Sequence, residues 1–216
     1  ANIGLHDLAL TRGYGVFDYF HVIQQVPLYM EAHIKRLFHS CLVMHLPLSL
    51  LKATISNAVL ELIAANNMQD GGVKILVTGG NSSNGYSIEK PSLIITTHPI
   101  PVQKSDTYAT GISLITHQYQ RDLPQAKSIN YSKGIWLLPA IAAAGADDVL
   151  YYFNNQLLEC PRSNVFVVTN KQEVLTPADG ILLGVTRQHV LDISQPLFTT
   201  RETNITMAEL QHASEV

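Results

Sequence analysis

Ala126-Lys127-Ser128-Ile129-Asn130-Tyr131 is the stretch on which the reading of this chain turns. It sets one lysine among polar residues, between a run at 112–119 that reads as a strand and a run at 132–144 that reads as a helix bent or shifted by Pro139. Strand, polar loop and helix in that order describe an α/β scaffold, whose loops often hold functional groups. Taken from composition alone, the same lysine is a solvated side chain.

Downstream, 148–153, 156–159, 164–169 and 174–176 read as short strands, joined by turns such as Asn154-Asn155, whose residues tolerate positive φ. Alternation along Gln156-Leu157-Leu158-Glu159 puts Leu157 and Glu159 on one face, opposite Leu158. A carboxylate on a partly buried face needs a positive partner, because an unpaired buried charge costs several kcal/mol. The plainer reading is an edge-strand glutamate in water. Gly184-Val185-Thr186 opens a helix that runs through Ile193, and such a start offers free N–H groups, a dipole and a hydroxyl to a phosphate. Thr186 as a simple N-cap is the alternative.

Upstream, 16–23 and 27–30 are β-rich runs separated by the turn-prone Gln24-Gln25, a hairpin. Ile34, Leu37, Phe38, Cys41 and Leu42 recur at helical spacing through 31–45, with His33, Arg36 and Ser40 on another face. Arg36 there offers a donor fork to the same anion. A second helix is predicted over 51–65, with Ser49 as N-cap and Leu51, Ile55, Ala58, Leu62 and Ile63 facing inward. Strands at 73–78 and 92–97 flank the polar loop 79–86, so the first half is an α+β unit. Pro99-Ile100-Pro101 reads as a connector, dividing a domain at 1–100 from a cofactor-binding domain at 101–216.

A formal charge of −3 and a pI near 6.3 give no footprint for a polyanion, which excludes nucleic acid as the expected partner. Cys41 and Cys160 are far apart in apolar surroundings and read as buried thiols of a reducing compartment, without a disulfide. The richest apolar stretch, 134–145, is too short to span a membrane, and no basic segment leads into an apolar one at the start. A cytoplasmic protein is expected, with both ends clipped. The nine histidines lack the paired spacing that zinc needs, and no Gly-x-Ser-x-Gly elbow is present.

An amine, an acid and an anion cradle are together what a pyridoxal phosphate site needs. Arg12-Gly-Tyr-Gly-Val-Phe17, Ala32-His-Ile-Lys-Arg-Leu37, Lys127-Ser-Ile-Asn130, Glu159-Cys-Pro-Arg-Ser-Asn-Val-Phe166, Thr176-Pro177 and Leu183-Gly-Val-Thr-Arg187 follow in an order and spacing that resembles the class IV aminotransferases. These fold-type IV pyridoxal-phosphate enzymes include D-amino-acid and branched-chain aminotransferases and aminodeoxychorismate lyase. The resemblance runs from about Asp7 to Leu210.

It implies an α+β, two-domain fold, with a small α/β N-terminal domain and a larger, β-barrel-like C-terminal domain with helices. It implies that Lys127 carries pyridoxal 5′-phosphate as a Schiff base and acts as the catalytic base, and that Glu159 faces the ring nitrogen. Arg36, Thr186 and the Val185 amide are implied to hold the phosphate, Ser163 and Asn164 to support Glu159, and Tyr131 to lie close to the cofactor. The implied substrates are small amino and 2-oxo acids, and the implied assembly is a homodimer.

Several positions depart from the family. Thr78-Gly79-Gly80 stands where many members have Thr-Arg-Gly, Tyr14 replaces an aspartate, and Asp18-Tyr19-Phe20 lacks the threonine expected of the lyase. The connection at Ser194-Gln195 is short by several residues, and a Ser/Thr-rich phosphate turn is expected beyond Val216. The first expectation is therefore a transaminase. A lyase that eliminates pyruvate with the same lysine, and a non-catalytic metabolite-binding homologue, are the alternatives.

Overall fold

The computed structural model describes residues 2–100 and 107–216. They pack as two units: 2–100 with Ala126–Asn130, and 107–125 with Tyr131–Val216. Pro101, part of the expected connector, lies outside the described residues. Among the described residues no helix is long and apolar enough to cross a membrane.

In the first unit a short helix α1 (Leu8–Arg12) leads into strand β1 (Gly15–Ile23). β1 joins β2 (Val26–Pro27), β3 (Gly71–Thr78) and β4 (Ser92–His98) in an antiparallel sheet of order β2-β1-β3-β4. Gln24 and Gln25 make the predicted hairpin turn with φ of 50° and 65°, the primed geometry that matches strand twist. Alternation sends Val16, Phe20 and Val22 of β1 and Val73, Ile75 and Val77 of β3 into one core. Helices α2 (Met30–Val43) and α3 (Lys52–Ala65) bury Ile34, Leu37 and Cys41, and Ile55, Val59 and Ile63, in the same core. Each such side chain contributes about 1.5–3 kcal/mol.

Two details of the helices differ from the sequence reading. α3 starts at Lys52 with Leu51 at its N-cap and no side-chain cap, so Ser49 does not cap it. Leu51 therefore precedes the helical repeat and is 74% exposed, while Val59, one turn from both Ile55 and Ile63, takes the inward place. Leu42 is exposed to the same degree, because it falls well off the stripe of Ile34, Leu37 and Cys41.

β2 covers only the end of one β1 edge, and residues 126–130 take the beginning of that edge. Phe17 N–H donates to the Lys127 carbonyl at 2.9 Å and Ile129 N–H to the Gly15 carbonyl at 3.0 Å, around a bridge of Val16 with Ser128. Ala126 is fully buried in the first core. These bonds are why the lysine segment packs with the first unit although its neighbours in the chain belong to the second.

The second unit opens with the single turn α4 (Thr107–Thr110), then β5 (Leu114–Gln118), α5 (Ser132–Ala143), β6 (Asp148–Phe153) and β7 (Gln156–Leu157). β5 and β6 are parallel, which requires a crossover, and α5 lies in it. β6 and β7 form the hairpin predicted at Asn154 and Asn155, with φ of 48° and 64°. A second sheet, in the order β10-β9-β8, comes from β8 (Val167–Val168), β9 (Val174–Thr176) and β10 (Thr200–Glu202). Helix α6 (Val185–Ser194) joins β9 to β10, and α7 (Met207–Gln211) starts with a capping box between Thr206 and Glu209.

The strand expected at 164–169 shrinks to β8, and β7 stops two residues short of Glu159. Leu158 N–H donates to the Tyr151 carbonyl at 3.0 Å, while Tyr151 N–H donates to the Glu159 carbonyl at 2.9 Å. Two residues thus oppose one, a bulge that ends the regular ladder and re-aims a side chain.

Candidate active site

Lys127 is held through its backbone. Its N–H donates to Ser40 Oγ at 3.0 Å, its carbonyl is bound to β1, and Nζ lies 4.8 Å from the centroid of the Phe17 ring. Lys74 Nζ stands 4.9 Å from the same ring. Phe17 and Lys74 reach each other because β1 and β3 pair Phe17 with Leu76, two residues from Lys74 on the same face.

Arg36, in the same unit, turns one edge of its guanidinium to Asp18. Nε donates to Oδ2 at 2.9 Å and Nη2 to Oδ1 at 2.8 Å, while His33 Nδ1 meets Oδ1 at 2.7 Å. Asp18 is wholly buried. Burial pushes its carboxyl up, but hydrogen bonds from His33 and Arg36 outweigh this and hold it below the ordinary aspartate range.

Glu159, in the second unit, is 5% exposed and not the edge glutamate of the plainer reading. Oε1 accepts from Arg121 Nε at 2.8 Å, and Oε2 accepts from Leu182 N–H at 3.0 Å and Asn164 Nδ2 at 3.3 Å. Arg121 also donates to the Pro124 carbonyl at 2.7 Å, which fixes the plane of its guanidinium. These donors orient one buried carboxylate, and hydrogen bonds to an ionised group are the strong kind.

Asn164 ties this carboxylate to the start of α6. Its Nδ2 donates to the Leu182 carbonyl at 2.7 Å, and its Oδ1 lies where a Cβ on Gly184 would be, 2.1 Å away. Gly184 is the N-cap of α6 and, among the described residues, no side chain caps the helix, so the first turn offers its N–H groups to an anion. Val185 is buried and Thr186 is exposed at the second helical position, not at the N-cap. Ser163 is exposed and closes the turn after Glu159 with its carbonyl, which accepts from Cys160 N–H at 2.9 Å. Tyr131 is the N-cap of α5.

The second unit thus brings Glu159, Asn164, Val185 and Thr186 together, and the first holds Lys127 and Arg36. Asp18, His33, Phe17, Ser40 and Arg121 were not singled out as functional in the sequence. Two signals were available: Asp18 sits on the inward row of β1 among apolar residues, and Glu159 needed a cation, which the loop after β5 offers at Arg121. The set fits pyridoxal phosphate chemically. An uncapped helix start with a hydroxyl suits a phosphate, and an oriented carboxylate suits a protonated ring nitrogen.

The chain is similar to known proteins in sequence and in structure. Residues 15–216 match the family model for amino-transferase class IV. D-alanine aminotransferase of Bacillus licheniformis is 25% identical over 99% of this chain and 77% of its own length. The bifunctional aminodeoxychorismate lyase / D-amino acid transaminase of Mycobacterium tuberculosis is 27% identical, over 88% of this chain and 71% of its own. The solved structure of a fold IV-transaminase from Curtobacterium pusillum superposes with a TM-score of 0.85 at 29% identity, covering 99% of this chain and 77% of that one.

Proposed function

Because this chain belongs to the amino-transferase class IV family, we infer that it is a pyridoxal-phosphate-dependent aminotransferase, exchanging an amino group between a small amino acid and a 2-oxo acid. The observation that carries the reading is Glu159, a buried carboxylate oriented by Arg121, Asn164 and the Leu182 N–H. Any buried carboxylate needs donors to stay charged, and here they also fix its direction beside the start of α6. A fixed negative charge of that kind is what a protonated ring nitrogen requires opposite it.

When bound, the cofactor supplies an electron sink that stabilises negative charge at the substrate α-carbon. Glu159 would hold the proton at the cofactor's ring nitrogen, since an opposite charge close by favours the charged form. Lys127 Nζ would hold the cofactor, and the same amine is the base that would take the proton from the substrate α-carbon. The Lys127 backbone, pinned to β1 and Ser40, keeps that amine on a rigid support. By this reading Arg36, the Val185 N–H and the Thr186 hydroxyl would hold the phosphate, Asn164 and Ser163 would support the Glu159 loop, and Tyr131 would border the cofactor.

The substrate carboxylate is not held from position 79. A Cβ there would stand 2.8 Å from Leu8 Cβ, so the arginine of the Thr-Arg-Gly pattern has no room. The reading includes a cytoplasmic homodimer, the usual state of the family, which sedimentation of the purified protein tests.

Borohydride reduction of the loaded protein, followed by peptide mass analysis, tests the assignment: the reduced cofactor is expected on Lys127. Amino donors with 2-oxoglutarate are expected to turn over. Pyruvate release from aminodeoxychorismate with no transamination would replace this reading by the lyase, an activity that the Mycobacterium tuberculosis relative bears in its name beside transamination. Protein that stays colourless with pyridoxal phosphate would leave the metabolite-binding alternative.

A further inference from the structure

We propose that Asp18 is a positioning residue, whose buried carboxylate fixes one edge of the Arg36 guanidinium and leaves the other edge for the phosphate of the cofactor. This rests on the reading of Arg36 as a phosphate ligand.

Asp18 lies on the inward row of β1, between Val16 and Phe20, and is wholly buried. A carboxylate among apolar neighbours costs several kcal/mol unless it is paired and saturated with donors. Here it is saturated. Oδ1 accepts from Tyr19 N–H at 2.9 Å, His33 Nδ1 at 2.7 Å and Arg36 Nη2 at 2.8 Å, and Oδ2 accepts from Arg36 Nε at 2.9 Å. An ionised carboxylate only accepts, so His33 must carry its proton on Nδ1. The 3.4 Å approach of Arg36 Nη2 to that nitrogen is then proximity between two donors, and among the described residues Arg36 is tied by Asp18 alone.

An arginine has five N–H donors in a planar fork. Two are spent on Asp18, and among the described residues no partner is found for Nη1. Nη1 and the second Nη2 hydrogen form an edge matched to two oxygens of a phosphate. The Arg36 side chain is 12% exposed, so it is confined but reachable. Fixing the plane of a long, flexible side chain before the anion arrives removes an entropic cost from binding.

A second effect opposes this one. Asp18 places negative charge beside the guanidinium and weakens its pull on an anion. If charge decided the matter, neutralising Asp18 would tighten phosphate binding; if orientation decides, it loosens it. The sign of the change separates the two.

The test titrates cofactor-free protein with pyridoxal 5′-phosphate and, separately, with pyridoxal, following the visible absorbance. The quantity read is the preference for the phosphorylated form, which general loss of stability does not move. Arg36→Ala is expected to lower it, and Asp18→Asn to lower it about tenfold, the usual scale for removing a partner that orients a ligand. In the Arg36→Ala background Asp18→Asn is expected to change nothing further. A preference unchanged by Arg36→Ala removes the phosphate role of Arg36 and this proposal with it. A preference lowered by Arg36→Ala but unchanged or raised by Asp18→Asn overturns only the positioning role. Should Asp18→Asn fail to fold, Asp18→Glu keeps the charge and displaces the fork by one methylene: a lowered preference supports the proposal, an unchanged one overturns it.

Discussion

Arg121 Nε meets Glu159 Oε1 across 2.8 Å, with side chains 15% and 6% exposed, so the acid proposed for the cofactor ring has its own cation. Arg201 and Glu173 are separated by the same 2.8 Å but are 57% and 24% exposed. Breaking a buried pair leaves an uncompensated charge out of water, at a cost of about 3–5 kcal/mol, whereas an exposed pair is worth about 0–1 kcal/mol. Arg121→Ala is therefore expected to lower the unfolding free energy in urea several-fold more than Arg201→Ala. Equal losses would mean that burial of Glu159 does not govern its energetics.

Lys127→Ala is expected to reduce transamination at least about 10²–10⁴-fold, the range for loss of a positioned general base, and to abolish borohydride labelling. Its melting temperature should move little, because the bonds of this segment to β1 are made by backbone atoms. Residual labelling at another lysine would remove Lys127 from its role.

Gly184→Ala places a Cβ against Asn164 Oδ1, and the clash is with a side chain that also bonds Glu159 and the Leu182 carbonyl. The expected outcome is a loss of about 1–3 kcal/mol of stability, as for other overpacked sites, together with weaker binding of pyridoxal phosphate. Equilibrium dialysis and thermal melts read the two effects separately.

Asp18 ties stability to acid pH. Its folded carboxyl is held below the ordinary value by His33 and Arg36 in spite of burial, so the unfolded chain binds a proton more readily than the folded one. Its stabilisation is full above the ordinary aspartate value of about 3.9 and is lost as pH falls through the depressed folded value. Urea midpoints of Asp18→Asn are expected to fall less steeply than those of the parent on the acid side, even though the variant is less stable at neutral pH. Parallel curves would refute this.

Burial pushes the Cys41 thiol up to about 11 and the Cys160 thiol up to about 12. Neither is expected to react with an aromatic disulfide reagent at pH 8 while the protein is folded, since the thiolate is the nucleophile. Both should react at once in denaturant. Rapid reaction of the native protein would show that the packing around Cys41 or Cys160 opens locally.

Elements were legible in the sequence wherever the signal was local. Gln24-Gln25 and Asn154-Asn155 mark hairpins because both pairs adopt positive φ, and β6 and β9 fall on the predicted residues. The ends of β7 and α3 were not legible, since a bulge at Tyr151 and the start of a helical repeat at Lys52 depend on what lies opposite.

Sequence alone determined the order of strands and helices, the family motifs and the residue types needed for an amine, an acid and an anion cradle, because periodicity and spacing are properties of neighbours along the chain. Only the tertiary structure decided who partners whom. Glu159 takes an arginine 38 positions away, Lys127 lends its backbone to a strand more than a hundred residues earlier, and Arg36 is claimed by Asp18. Such pairings follow from where strand edges and helix faces meet in space, and a buried charge accepts whichever donor the packing delivers within about 3 Å.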